Sequence, residues 1–172
     1  MSTEEPDNAA EASASAQKQP SGGKPKGRAR ARRLARRRAL QAMYQQELSG
    51  DSGTEVERKF REDQDLHGVD MDYFLELFHE SLNQRKDLEA IISPHLDRAI
   101  ESVDIIERIV LLISAYELKT RPEIPFRVVL NEGVELAKDF AGENSHSYIN
   151  GVLDKLVSAF RPIEAQAARK RR

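Results

Sequence analysis

The sequence predicts an all-α fold on three observations. Glycine and proline are scarce, 9 and 7 in 172 residues. The apolar residues recur at three- and four-residue spacing between charges, and β-branched residues are too sparse for many strands. With 39% apolar residues the chain can build one core but not two, so a single helical domain is expected over residues 31–163. A disordered basic N-terminal arm, residues 1–30, precedes it, because residues 1–27 carry no large apolar side chain after Met1 and cannot offset their ordering entropy by burial. A basic C-terminal tail, 164–172, follows.

The elements read in order as follows. Helix-favouring composition begins near Arg30, and Leu40, Met43, Tyr44 and Leu48 share one face. Gly50 stops that helix. Thr54 and Glu57 form a T-x-x-E capping box for a short second helix with Val56 and Phe60 one turn apart, ending at His67-Gly68. Asp70 caps a third helix carrying Phe74, Leu75, Phe78 and Leu82, and the pattern resumes at Leu88, Ile91 and Ile92 until Pro94 breaks it. Ser102–Thr120 is the most apolar segment and the expected central helix, with Ile105, Ile106, Ile109, Leu112, Ile113 and Tyr116 on its core face. Its other face steps through Glu107, Leu111, Ser114 and Leu118, a half-apolar stripe expected to be half wet and to meet a partner. Pro125 suits the first turn of a helix bearing Val129, Gly133, Leu136, Ala137 and Phe140. The last helix starts near Asn144-Ser145, with Ser145 the favoured cap, and stops at Arg161-Pro162.

Several kinds of chemistry are excluded. Zero cysteines remove disulfides, thiolate metal sites and thiol catalysis. His67, His79, His95 and His146 are isolated from each other, so no metal site is expected. Gly22-Gly23-Lys24 lacks the strand and the Ser/Thr that a phosphate-binding loop needs, and neighbouring Ser145 and His146 point about 100° apart on a helix, so they cannot act as a nucleophile and base. No catalytic residue, no cofactor and no membrane span are expected, since no apolar run reaches the roughly 18 residues a bilayer requires. The expected compartment is the cytoplasm.

Charge is more informative. Between Glu11 and Glu47 there are ten lysines and arginines and no acid, and Arg169, Lys170, Arg171 and Arg172 close the chain. The remaining 13 cations and 25 acids leave the body at about −12. Opposite poles suit two partners, a polyanion and a basic protein. Arg32, Arg33, Arg36 and Arg37 lead into a helix whose core face is occupied by Leu40, Met43 and Tyr44, so these arginines are expected to face water and bind phosphate in forks. Single-stranded RNA also needs stacking and amide groups; Tyr44, Tyr148, Asn144 and Ser147 can supply them.

Three stretches carry a resemblance: Ala31-Arg-Arg-Leu-Ala-Arg-Arg-Arg-Ala-Leu-Gln-Ala-Met-Tyr44, Ala115-Tyr-Glu-Leu118, and Asn131-Glu-Gly-Val-Glu-Leu-Ala-Lys-Asp-Phe140 followed by Tyr148-Ile-Asn-Gly-Val-Leu-Asp-Lys155. The chain resembles the NusB family of transcription antitermination factors over residues 31–162. The resemblance implies two three-helix bundles sharing a long central helix, and a part in the RNA polymerase antitermination complex on ribosomal RNA operons, through binding of single-stranded boxA RNA together with the ribosomal protein NusE. By matching position, RNA contact falls on Arg32, Arg33, Gln41, Tyr44, Asn144, Ser147 and Tyr148, joining Arg36 from the basic cluster, and protein contact on Glu107, Arg108, Leu111 and Ser114. Leu34, Asn144 and Ser147 depart from the family's common arginine, aspartate and lysine. Two other readings stand beside this one: the NusB-like domain of an RNA cytosine methyltransferase, if the chain is a fragment, and a structural helical adaptor without specific RNA binding. The stripe of Leu111 and Leu118 also permits a homodimer.

Overall fold

The fold is organised around α5 (Ile105–Thr120), whose residues Val110 to Leu118 are all buried. The computed structural model describes residues 24–171, and within them every regular element is helical. In chain order these are α1 (Pro25–Ser49), α2 (Gly53–Asp63), α3 (Met71–Asn83), α4 (Arg85–Ile92), two single 3-10 turns at Ser93–His95 and Ile100–Ser102, α5, α6 (Phe126–Phe140), α7 (Ser145–Phe160) and α8 (Pro162–Lys170). Helices α1, α3 and α5 pack as one triangle, and α5, α6 and α7 as another, so α5 belongs to both bundles. Helix α2 leans on α1 and α3, α4 on α5, and α8 on α7. The shared helix is the central one, but at 16 residues it is shorter than α1 at 25.

Local sequence explains the boundaries, with corrections. Asp70 caps α3 as expected, accepting from the Tyr73 backbone N–H at 3.1 Å, and Asp104 does the same for α5 at the N–H of Ile106, 2.9 Å. For α2 the cap is Ser52, which accepts from Glu55 N–H at 3.3 Å, not Thr54; a second S-x-x-E pattern two residues upstream wins. Asn144, with φ 65°, is the residue before α7, and Ser145 is its first, buried residue rather than its cap. Helix α1 begins at Pro25, so residues 25–30 of the expected arm are helical, while residues 1–23 lie outside the described residues, as does Arg172. Proline at the first position suits this start because its missing N–H has no partner there to lose. The same rule corrects the C-terminal tail: Pro162 opens α8 instead of ending the chain's order.

The largest correction concerns the outer stripe of α5. Leu111, Ser114 and Leu118 are 1%, 1% and 2% exposed and Glu107 is 8% exposed, so no half-wet face exists and no homodimer surface lies there. Helix α6 covers that stripe through Gly133, where an added Cβ would come within 2.8 Å of both Ser114 Oγ and Leu153 Cδ1. A helix that serves two bundles has no outward face, which is why polar Ser114 sits inside.

Candidate nucleic-acid interface

Helix α1 carries the arginines, and their register sorts them. At 100° per residue, Arg33, Arg37, Gln41 and Tyr44 follow one another along a single outer line, which Lys26 and Arg30 extend towards the N terminus. Tyr44 is 38% exposed and the Arg33 side chain 56%. Arg36 stands one turn before Leu40 and two before Met43, on the core face. It is 3% exposed. The expectation that it faces water and meets RNA is therefore overturned, and the i, i+4, i+7 spacing of Arg36, Leu40 and Met43 already contained the reason.

Inside, Arg36 is fully engaged. Its Nε and Nη2 meet Glu117 Oε1 at 2.9 and 2.8 Å, and Nη1 lies 3.8 Å from Glu132 Oε2. Tyr73 also donates its hydroxyl to Glu117. Burial works against the Arg36 charge, but Glu117 outweighs it and raises the guanidinium above its ordinary pKa. Burial, reinforced by Glu117, drives the Tyr73 phenol upward too, so it stays a donor. Arg32 is half-buried with its Cζ 4.8 Å from the Tyr73 ring centroid, and Arg121 covers the same ring at 5.0 Å.

On the outer line the pairs are with α6. Arg33 forks onto Glu132, Nη2 to Oε1 at 2.7 Å and Nε at 3.2 Å to each oxygen, a contact that raises its pKa mainly through the hydrogen bond. Arg37 pairs with Asp139 and lies 4.9 Å from the Phe140 ring centroid. Arg38 donates to Gln41 Oε1 at 2.8 Å. These pairings run α1 and α6 in the same direction, while Arg36–Glu117 at one end and Glu47–Arg108, 3.1 Å, at the other run α1 against α5. The end of α6, the Ala141–Asn144 loop and the start of α7 therefore lie towards the Gln41–Glu47 half of α1.

Asn144 and Ser147 are exposed at that α7 start. Tyr148 is partly buried against the core; its hydroxyl has no partner among the described residues, and its ring is covered by Arg98 at 4.7 Å. Burial raises its phenol pKa as well. Arg98, held by Asp97 at 2.8 Å, adds a cation to this end that the sequence reading missed, since its loop has no periodicity to place it. Arg108 is partly exposed and tied to Glu47, whereas Glu107, Leu111 and Ser114 are buried and offer no docking face in this fold.

Such a surface, cations on one helix line with a tyrosine, amides and a second tyrosine at one end, can neutralise phosphates and stack or hydrogen-bond unpaired bases. Comparison with known proteins decides the family: the family model described as the NusB family matches residues 33–158. The chain belongs to the NusB family. It is similar to the transcription antitermination protein NusB of Alcanivorax borkumensis, 47% identical over 82% of this chain and 94% of that protein. The NusB of Shewanella oneidensis is 46% identical over 74% of this chain and 95% of its own length. Among solved structures, one of antitermination factors NusB and NusE in complex with dsRNA matches with a TM-score of 0.63 at 26% identity, covering 76% of this chain and 98% of that one. The NusB family match spans both bundles, from Arg33 on α1 to Ser158 on α7.

Proposed function

We propose that this NusB-family chain is a transcription antitermination factor for ribosomal RNA operons, acting in the cytoplasm as an RNA-binding adaptor that holds boxA RNA together with the ribosomal protein NusE. The observation that carries the reading is high identity to NusB antitermination proteins over nearly their whole length. The α1 line of cations leading to the α7 start supports it physically. Arg33, Gln41 and Tyr44, with Asn144, Ser147 and Tyr148, are the residues assigned to RNA; Arg32 contributes from the edge and Arg36 only holds α1 in place. Phosphate contacts set affinity and the tyrosines and amides set preference. The acidic body is assigned to the basic partner.

A mobility assay tests this with boxA RNA, a scrambled strand and a duplex, each with and without NusE. Preference for single-stranded boxA that grows when NusE is added is the expected result, and Tyr148→Ala should erode the preference more than the affinity. Equal and feeble binding to all three RNAs in both conditions would refute the assignment.

A further inference from the structure

We propose that the end of the molecule where the start of α1, the start of α6 and the end of α8 meet is a second phosphate-binding surface, which takes the backbone of RNA flanking the segment held by the α1–α7 face. It rests on the RNA-binding reading above and extends it to an adjoining place at the other end of α1. Two shallow grooves adjoin at Pro125. One is lined by Arg28 of α1 together with Glu123, Pro125 and Val128, and it borders Arg32 at the edge of the first RNA face. The other is lined by Arg127 of α6 and by Arg171, the residue after α8. Arg169 of α8 flanks a third groove beside Arg127. All four arginines are exposed.

What distinguishes this end is uncompensated charge. None of these four arginines makes an ion pair among the described residues. The acids nearby are already held by arginines of the fold: Glu123 by Arg121 at 3.3 Å, Glu132 by Arg33, and Glu164 by Arg161 at 3.4 Å. Asp154 on α7, without such a partner, bounds the patch on its far side. Spare guanidinium groups spread over shallow grooves suit a repeating anion, because each can fork onto a separate phosphate. Arg28, Arg169 and Arg171 all fall outside residues 33–158, the segment that matches the family. Arg28 and Tyr44 share α1, about 24 Å apart at 1.5 Å per residue. One strand can therefore reach both surfaces only if it extends several nucleotides beyond the segment held near Tyr44.

The test compares full-length protein with the triple variant Arg28→Gln, Arg127→Gln, Arg171→Gln by fluorescence anisotropy. Three RNAs are used: boxA alone in about 12 nucleotides, boxA centred in about 30, and a scrambled strand of about 30. Unaltered protein should bind the longer boxA RNA about tenfold more tightly than the short one, with a salt slope steeper by roughly 2, from ~0.7 per phosphate contacted. The triple variant should lose that gain and keep its affinity for the short RNA within about twofold. Unchanged binding of the long RNA by the variant, or equal loss on short and long RNA, would overturn the proposal. If polyglutamate displaced the long RNA as well as an RNA of equal charge does, the surface would belong to an acidic protein instead. Failure of boxA recognition itself is read separately, from the short boxA RNA against the scrambled strand, while weaker binding of the scrambled strand by the triple variant reports the second surface without boxA recognition.

Discussion

Arg33 and Arg36 lie three positions apart on α1 and face opposite surroundings. Arg33 is exposed, but its partner Glu132 is buried and would keep only Arg36 at 3.8 Å, so Arg33→Gln should cost about 1–2 kcal/mol in urea unfolding while weakening RNA binding across sequences. Arg36→Gln leaves Glu117 buried without its cation and should cost about 3–5 kcal/mol, yet the molecules that remain folded should bind RNA as before. Identical stability losses for the two variants would contradict this division. The sequence separated neither residue from the other by type, because both are arginines in one basic run. Position did: Arg36 has the register of Leu40, and Glu132 and Glu117 stand at core spacing on α6 and α5. A carboxylate at a core position needs a cation, and only the fold shows which one it has.

At the scale of elements, α5 is held by two features of opposite chemistry. Its stripe is sealed by Gly133, and its C-terminal end by Arg161, which donates to the carbonyls of Leu118 at 3.0 Å, Glu117 at 3.1 Å and Arg121 at 2.7 Å. The Glu117 carbonyl also accepts from the Arg121 N–H and the Arg121 carbonyl from the Ile124 N–H, but Pro122 has no N–H to give the Leu118 carbonyl, so Arg161→Ala should destabilise by about 2–3 kcal/mol. Gly133→Ala gains helix propensity but must displace Leu153 and Ser114, for a net loss of roughly 1–2 kcal/mol. Gly151→Ala, with nothing within 4 Å, should instead stabilise by about 0.5–1 kcal/mol. Opposite shifts in thermal midpoint would check the pair. Glu47 joins α1 to α4 and α5 through Arg85 at 2.6 Å and Arg108 at 3.1 Å, and the hydrogen bond from Arg85 is the main cause of its lowered pKa. A depressed carboxylate contributes stability above its ordinary value of 4.5, and that contribution is lost as pH falls through the folded-state value. Glu47→Gln should therefore flatten the acid limb of a stability-against-pH curve and leave its alkaline limb unchanged. Most element positions were legible from periodicity and caps. The buried stripe of α5 was not, because a helix shared by two bundles shows no simple apolar face, and α8 was not, because Pro162 reads equally as a stop and as a start.

For the molecule as a whole, charge that is segregated along the sequence is partly neutralised in the fold, where Arg33, Arg36 and Arg37 of α1 meet Glu132, Glu117 and Asp139. The arginines that α1 turns inward, Arg36 and partly Arg32, do not contribute fully to RNA binding, so counting the basic run overstates the contacts. With about four cations on boxA RNA, log affinity should fall with log salt at a slope near −3, at ~0.7 per phosphate. A flat response would remove the electrostatic basis of the reading. Under the proposed function, RNA lies along α1 and the basic protein on other acidic surface, so binding of one is expected not to displace the other.

Glu132 touches two guanidinium groups, 2.7 Å from that of Arg33 and 3.8 Å from that of Arg36. Under the proposed function, a phosphate that draws Arg33 outward would leave Glu132 with the more distant Arg36, which Glu117 already holds. Release of the outer grip would then trade a close counter-ion for a distant one, while α1 stays anchored through Arg36 and Glu117.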